Sequence, residues 1–146
     1  MKFTTEIAVN VPRERFIELF DNPDNMKHWQ PGLVSFEHLS GTPGQPGAKS
    51  LLKYVAGSRE VEMIETIVAR NLPDEFSATY DVKGIHNIVK NYFTASTPTT
   101  THWLAEYDFQ MTGFMKVMGW FIGRAIKKEP QKLMDQFKEF AENTSK

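Results

Sequence analysis

The stretch GFMKVMGWFIGRAIKKEPQKLMDQFKEFAENTSK, Gly113 to Lys146, decides how the whole chain folds. Within it Phe114, Met118, Phe121, Ile122, Ala125, Leu133, Phe137 and Phe140 recur at spacings of mostly three and four. That period places them on one stripe of a helix, with Lys127, Lys128, Gln131, Lys132, Asp135 and Lys138 largely around the other sides. So long an aromatic stripe must be covered, and the preceding chain reads as strands able to cover it. The expected class is α+β, a curved antiparallel sheet gripping one long helix, with room for a small apolar ligand between them. Pro130 cannot donate to the carbonyl of Ile126, which predicts a kink or break near residues 124–129. Gly119 and Gly123 lie about a turn apart and cost roughly 1 kcal/mol each against alanine. They suit a close approach of sheet or ligand, and equally suit tight packing with no ligand.

Upstream, Phe3, Thr5, Ile7 and Val9 alternate with more polar neighbours, a strand with one buried face. Asn10-Val11-Pro12 is expected to start a helix, with Asn10 as its cap, and Phe16, Leu19 and Phe20 as its buried stripe. Asp21-Asn22-Pro23 ends that helix and opens a second short one through about His28, with Met26 and Trp29 turned inward. Six strands follow: Leu33 to Leu39, Lys49 to Val55, Arg59 to Arg70, Glu75 to Val82, Ile85 to Ser96 and Thr100 to Met111. Short turns rich in Gly, Pro and Asn separate most of them, which predicts an antiparallel meander. Alternation assigns the concave face: Trp103, Ala105, Tyr107, Phe109 and Met111 on the last strand, and Phe76, Ala78, Tyr80 and Val82 two strands earlier. Val61, Met63, Ile67 and Ala69 share such a face with Glu65, and Ile85, Val89, Phe93 and Ala95 share one with Asn87 and Asn91.

One domain spanning residues 1–146 is expected, long enough for a full core. The formal net charge of −1 gives no broad footprint for nucleic acid or anionic membrane. The absence of cysteine removes disulfides and thiolate chemistry. No stretch has the roughly 20 apolar residues that a transmembrane helix needs, and the N-terminus lacks a signal-type apolar run, so a cytoplasmic location is expected. His28, His38, His86 and His102 have no metal-ligand spacing, and no metal or other cofactor is expected. The loop Gly41 to Gly47 faintly echoes a phosphate cradle, but its prolines and the strand after it argue for a hairpin loop.

The order β-α-α-β6-α resembles the START-like or SRPBCC superfamily, the Bet v 1-like helix-grip fold, and most of all its polyketide cyclase/dehydrase and lipid transport members. The resemblance is carried by Val11-Pro12-Arg13-Glu14-Arg15-Phe16, the Asp21-Asn22-Pro23 break and Trp29-Gln30-Pro31-Gly32. It continues through the Gly41 to Gly47 loop, Glu65-Thr66-Ile67 before Leu72-Pro73, and Thr100-Thr101. It implies an apolar cavity between sheet and terminal helix. Lining candidates are Met26 and Trp29 from the second helix, and Tyr54, Met63, Tyr80, Asn91, Trp103, Tyr107 and Phe109 from the sheet. Phe114, Met118, Phe121 and Ile122 complete the set from the long helix. Each of them taken singly fits a packed core better than a ligand contact, because native interiors leave few voids.

Three functions fit. The first is binding or transport of a small hydrophobic ligand, such as a lipid, polyketide-like aromatic or isoprenoid. The second is a cyclase/dehydrase-type enzyme in which Glu65, the candidate catalytic residue, or Tyr80, Asn91 or Tyr107 handles protons. The third is a co-chaperone-like interaction module. A carrier needs only the cavity, whereas an enzyme also needs convergent polar groups with shifted pKa values. The oligomeric state, monomer or homodimer, is open.

Overall fold

The computed structural model describes residues 1–145, and side chains for all of these except positions 56, 114, 115 and 118–126. The expected lining residues Phe114, Met118, Phe121 and Ile122, and the pair Gly119 and Gly123, therefore lie outside the described side chains. The elements are β1 (Lys2–Val9), α1 (Arg13–Phe20), a 3-10 turn (Pro23–Asn25), α2 (Met26–Trp29), β2 (Leu33–Ser40), β3 (Lys49–Ala56), β4 (Arg59–Asn71), β5 (Glu75–Val82), β6 (Ile85–Thr97), β7 (Thr100–Met111) and α3 (Phe114–Thr144). This is the α+β helix-grip order. Seven antiparallel strands form one sheet in the order β1-β7-β6-β5-β4-β3-β2, so the first strand closes against the last. The terminal ammonium of Met1 donates to the Phe109 carbonyl at 2.7 Å.

Pairing registers convert the alternation of each strand into rows across the concave face. One row runs Thr5, Ala105, Asn91 and Phe76; the next runs Phe3, Tyr107, Val89, Ala78 and Ile67. A third runs Phe109, Asn87, Tyr80, Glu65 and Ser50. A register slip of one residue on any strand would turn its whole set outward.

One end of this face is filled by aromatic side chains. Phe16 and Phe20 of α1, Trp29 of α2, Phe93 of β6 and Trp103 of β7 meet Phe137 of α3, whose ring centroid lies 4.7 Å from Phe16, 5.1 Å from Trp29 and 5.5 Å from Trp103. Tilted and edge-on geometries dominate, as the ring quadrupoles favour. Among the described side chains of α3 the buried positions are Pro130, Met134, Phe137 and Ala141, a spacing of four, three and four that keeps one stripe on the sheet. Lys138, beside that stripe, donates to the Ala8 carbonyl at 2.7 Å and fixes the helix along β1.

Three expectations are corrected. α3 runs from Phe114 to Thr144 as one helix with Pro130 inside it, so of the kink or break expected near residues 124–129 the break does not occur. Pro130 is itself buried, so its ring contributes packing where its missing N–H removes a helix hydrogen bond. Asn10 does not cap α1: Pro12 holds that place with no side-chain cap, and the Asn10 N–H donates instead to Glu142 Oε2 at 2.9 Å. Ala69 does not share the face of Ile67, because the register shifts between them and sets Ala69 opposite Ser77 and Arg70 opposite Phe76. The bulge re-aims Arg70 toward α1, where its guanidinium takes both carboxylate oxygens of Asp21.

Truncating Phe137 removes the ring shared by both helices and the sheet. Phe137→Ala should cost about 3–5 kcal/mol, read as a lower denaturation midpoint in urea. An exposed control on the same helix, Gln136→Ala, should leave that midpoint nearly unchanged.

Candidate functional site

Away from the aromatic cluster, the concave face becomes polar in its third row. Glu65 is buried, with 8% of its surface exposed, in the middle of β4. Its direct neighbours in register are Ser50 on β3 and Tyr80 on β5, and the Tyr80 hydroxyl hydrogen-bonds its carboxylate. Burial pushes the Glu65 carboxyl above its ordinary value of 4.5, and the Tyr80 hydrogen bond offsets part of that rise. Tyr80 is driven well above the ordinary phenol range, first by burial and then by the charge of Glu65. Tyr54 is also raised, by burial and by the same carboxylate, and Tyr107 is raised to about 12 by burial. Three tyrosines and one carboxyl thus share an environment of low polarity.

The surrounding polar atoms differ in how they are used. Tyr54 donates its hydroxyl to Gln30 Oε1 at 2.7 Å, joining β3 to the end of α2. Asn91 accepts from the Trp103 indole at 2.9 Å and donates to the Phe76 carbonyl at 3.2 Å, so it braces the filled end of the face. Asn87 Oδ1 and Trp29 Nε1, by contrast, are buried with no hydrogen-bond partner among the described residues. Such atoms cost on the order of 1–3 kcal/mol each unless something pairs with them.

Placed on this map, the residues expected to line a cavity separate into two groups. Trp29, Asn91 and Trp103 stand in or beside the aromatic cluster, with Met26 packed against it. Tyr54, Met63, Tyr80, Tyr107 and Phe109 lie on or around the polar row, and Phe3 stacks on Tyr107 at 5.0 Å and on Phe109 at 5.8 Å. Gln30 and Ser50, both buried, were not picked out from the sequence. Ser50 could have been found by parity, since Ser50, Leu52 and Tyr54 alternate on β3 and pair with Glu65, Met63 and Val61. Gln30 follows a helix end and carries no periodic signal. The four histidines are spread out: His28 stacks on Phe140 at 5.6 Å, His86 pairs with Asp81, and His102 pairs with Glu6 at 3.0 Å.

An open groove on the outer surface, between α1 and the β4–β5 turn, is the other concavity of note. Arg13 pairs there with Asp74, Asp21 with Arg70 and Glu18 with Arg15, and the groove carries no buried unpaired polar atom among the described residues. The concave face, with its buried carboxyl and unpaired Asn87 oxygen among the described residues, is the stronger candidate. No helix among the described residues is long and apolar enough to cross a membrane.

A family profile described as polyketide cyclase / dehydrase and lipid transport matches residues 1–142. Among solved structures, the Zhui aromatase/cyclase from Streptomyces sp. R1128 superposes with a TM-score of 0.83 at 9% identity, covering 100% of this chain and 96% of that one. A START superfamily protein from Mycobacterium smegmatis superposes with a TM-score of 0.81 at 11% identity, covering 98% of each chain. Ara h 8.0201 gives 0.79 at 14% identity, again covering 98% of each. At these identities the likeness is one of fold. No curated protein sequence matches the chain significantly.

The raised Glu65 carboxyl has a measurable consequence. A carboxyl whose folded value lies above its unfolded value binds its proton more tightly when folded. Its contribution therefore favours folding at low pH and is lost as pH rises from about 4.5 through the raised folded value. Glu65→Gln, which can still accept from Tyr80, should remove that contribution. The variant should gain stability relative to the parent as pH rises from 4 to 8, as measured by urea melts across that range. A difference that stays flat with pH would contradict the assignment.

Proposed function

The chain belongs to the polyketide cyclase/dehydrase and lipid transport family, and on that premise we propose that it binds a small hydrophobic molecule between the concave face of the sheet and α3. The observation that carries this reading is the division of the concave face. One end is packed by the rings around Phe137, whereas the other presents Tyr54, Met63, Tyr80, Tyr107 and Phe109 around a buried carboxyl and an unpaired Asn87 oxygen. Mostly apolar walls with a few placed polar groups are the usual composition of a small-molecule site. The aromatic walls and Met63 supply apolar area and adaptable shape, and a ligand that binds only the folded chain stabilises it by mass action.

A second reading, cyclase/dehydrase-type proton handling, is favoured by one specific observation, the contact of the Tyr80 hydroxyl with the raised Glu65 carboxyl. A carboxyl tuned toward neutral pH beside a phenol is suited to move a proton at a bound ketone or alcohol. It would act on the same bound molecule, so binding is the property to establish first.

Binding is tested with a neutral fluorescent probe, N-phenyl-1-naphthylamine. Saturable enhancement is expected on the native protein. Met63→Trp, which adds bulk from β4 into the concavity, should weaken the probe by about tenfold, roughly 1.4 kcal/mol, with little change in the far-ultraviolet circular dichroism spectrum. No saturable binding by the native protein, or undiminished binding by a folded Met63→Trp variant, would contradict a ligand site at this position.

A further inference from the structure

We propose that the ligand of this face is an apolar amine, bound as its ammonium ion with the charge on Glu65 and the hydrocarbon against the tyrosine walls. The inference rests on the binding reading above and names the chemistry of its ligand.

The first argument is one of charge. Glu65 is buried, and no Lys, Arg or His among the described residues forms an ion pair with it. The described group that hydrogen-bonds it is the neutral Tyr80 hydroxyl. A buried carboxyl without a counter-charge is costly to ionise, and an incoming cation removes that cost by supplying the missing partner. The ion pair then forms where little water competes, so its Coulomb attraction is stronger than at an open surface.

The second argument concerns hydrogen-bond polarity. One carboxylate accepts several bonds and Tyr80 occupies one of those positions. Asn87 Oδ1, flanking Tyr80 from β6 as Glu65 flanks it from β4, is a further acceptor with no partner among the described residues. The Tyr54 hydroxyl is already spent on Gln30, and Asn91 on Trp103 and Phe76. Glu65 and Asn87 Oδ1, on either side of Tyr80, thus both offer acceptor capacity, and a head group that reaches them complements them by donating. An ammonium has only donors.

The third argument is the walls. Tyr80 stands directly beside Glu65, Tyr54 and Tyr107 come near enough to interact electrostatically with this pair, and Phe109 ends the same row. Aromatic faces attract a cation that has left water, and more so when it is desolvated. A carboxylate in such aromatic surroundings favours an ammonium over a neutral head of the same size, and disfavours a carboxylate ligand through like-charge repulsion.

Three probes of matched shape test this by calorimetry: naphthylmethylamine, naphthalenemethanol and naphthoic acid. The native protein should bind the amine roughly tenfold or more tighter than the alcohol, and the acid most weakly. Glu65→Gln should lose that preference, so that amine and alcohol affinities come within about threefold of each other. Alcohol affinity equal to or above that of the amine on the native protein would overturn the proposal and leave the ligand-binding reading standing. An unchanged amine preference in Glu65→Gln would also overturn it. Failure of all three probes to bind would overturn both readings. Should Glu65→Gln not fold, the ranking of the probes on the native protein decides by itself.

Discussion

The insertion of Phe137 into the ring cluster of Phe16, Phe20, Trp29 and Trp103 is the contact on which the rest of the molecule depends. A long amphipathic helix has no stable place of its own, since most helix stability in proteins comes from burying its apolar face. Here the burial is shared by three elements at once. α1 and α2 reach the same ring from one side and β7 reaches it from the other, so the helix, the sheet and the linking short helices lock together or not at all. Lys138 on Ala8 and Glu142 on Asn10 then tie the outer edge of α3 to β1 and its end.

That packing has a consequence for the other half of the concave face. At the filled end Asn91 is braced within the protein by Trp103 and Phe76. In the row of Glu65, Tyr80 and Asn87 the same strands present polar atoms that the protein only partly satisfies. Low local polarity strengthens any pairing made there and makes an unmade one costly. The side chains proposed to hold a ligand are, in this row, also the ones that cost stability when unpaired.

The family likeness supports the scaffold more than the chemistry. Solved structures with 9–14% identity share the fold over nearly the whole chain. Packing tolerates exchange among apolar residues of suitable volume, whereas a buried carboxyl works only beside particular neighbours. Function in such a fold belongs to its site, and the candidate site here is set by which residues on five different strands stand in one row.

Much of the architecture was legible in the sequence because it depends on local period. The three-and-four spacing placed α3, and two-residue alternation placed β5 and β7 at their observed bounds, Glu75–Val82 and Thr100–Met111. Alternation also assigned the faces of Trp103, Tyr107, Tyr80 and Glu65. The candidate site was legible only residue by residue. That Tyr80 opposes Glu65, that Asn91 is taken by Trp103, and that Gln30 meets Tyr54 depend on pairing between strands and elements distant in sequence. Alternation gives the side of the sheet on which a residue lies, without giving what lies opposite. The register shift before Ala69 shows the limit most clearly, since one extra residue in β4 turned Ala69 away and Arg70 toward Asp21. Asn10 and Pro130 make the same point. Local propensity would place a cap at one and a break at the other. Burial of Pro130 and the hold of Glu142 on Asn10 are long-range effects, and only the assembled chain supplies them.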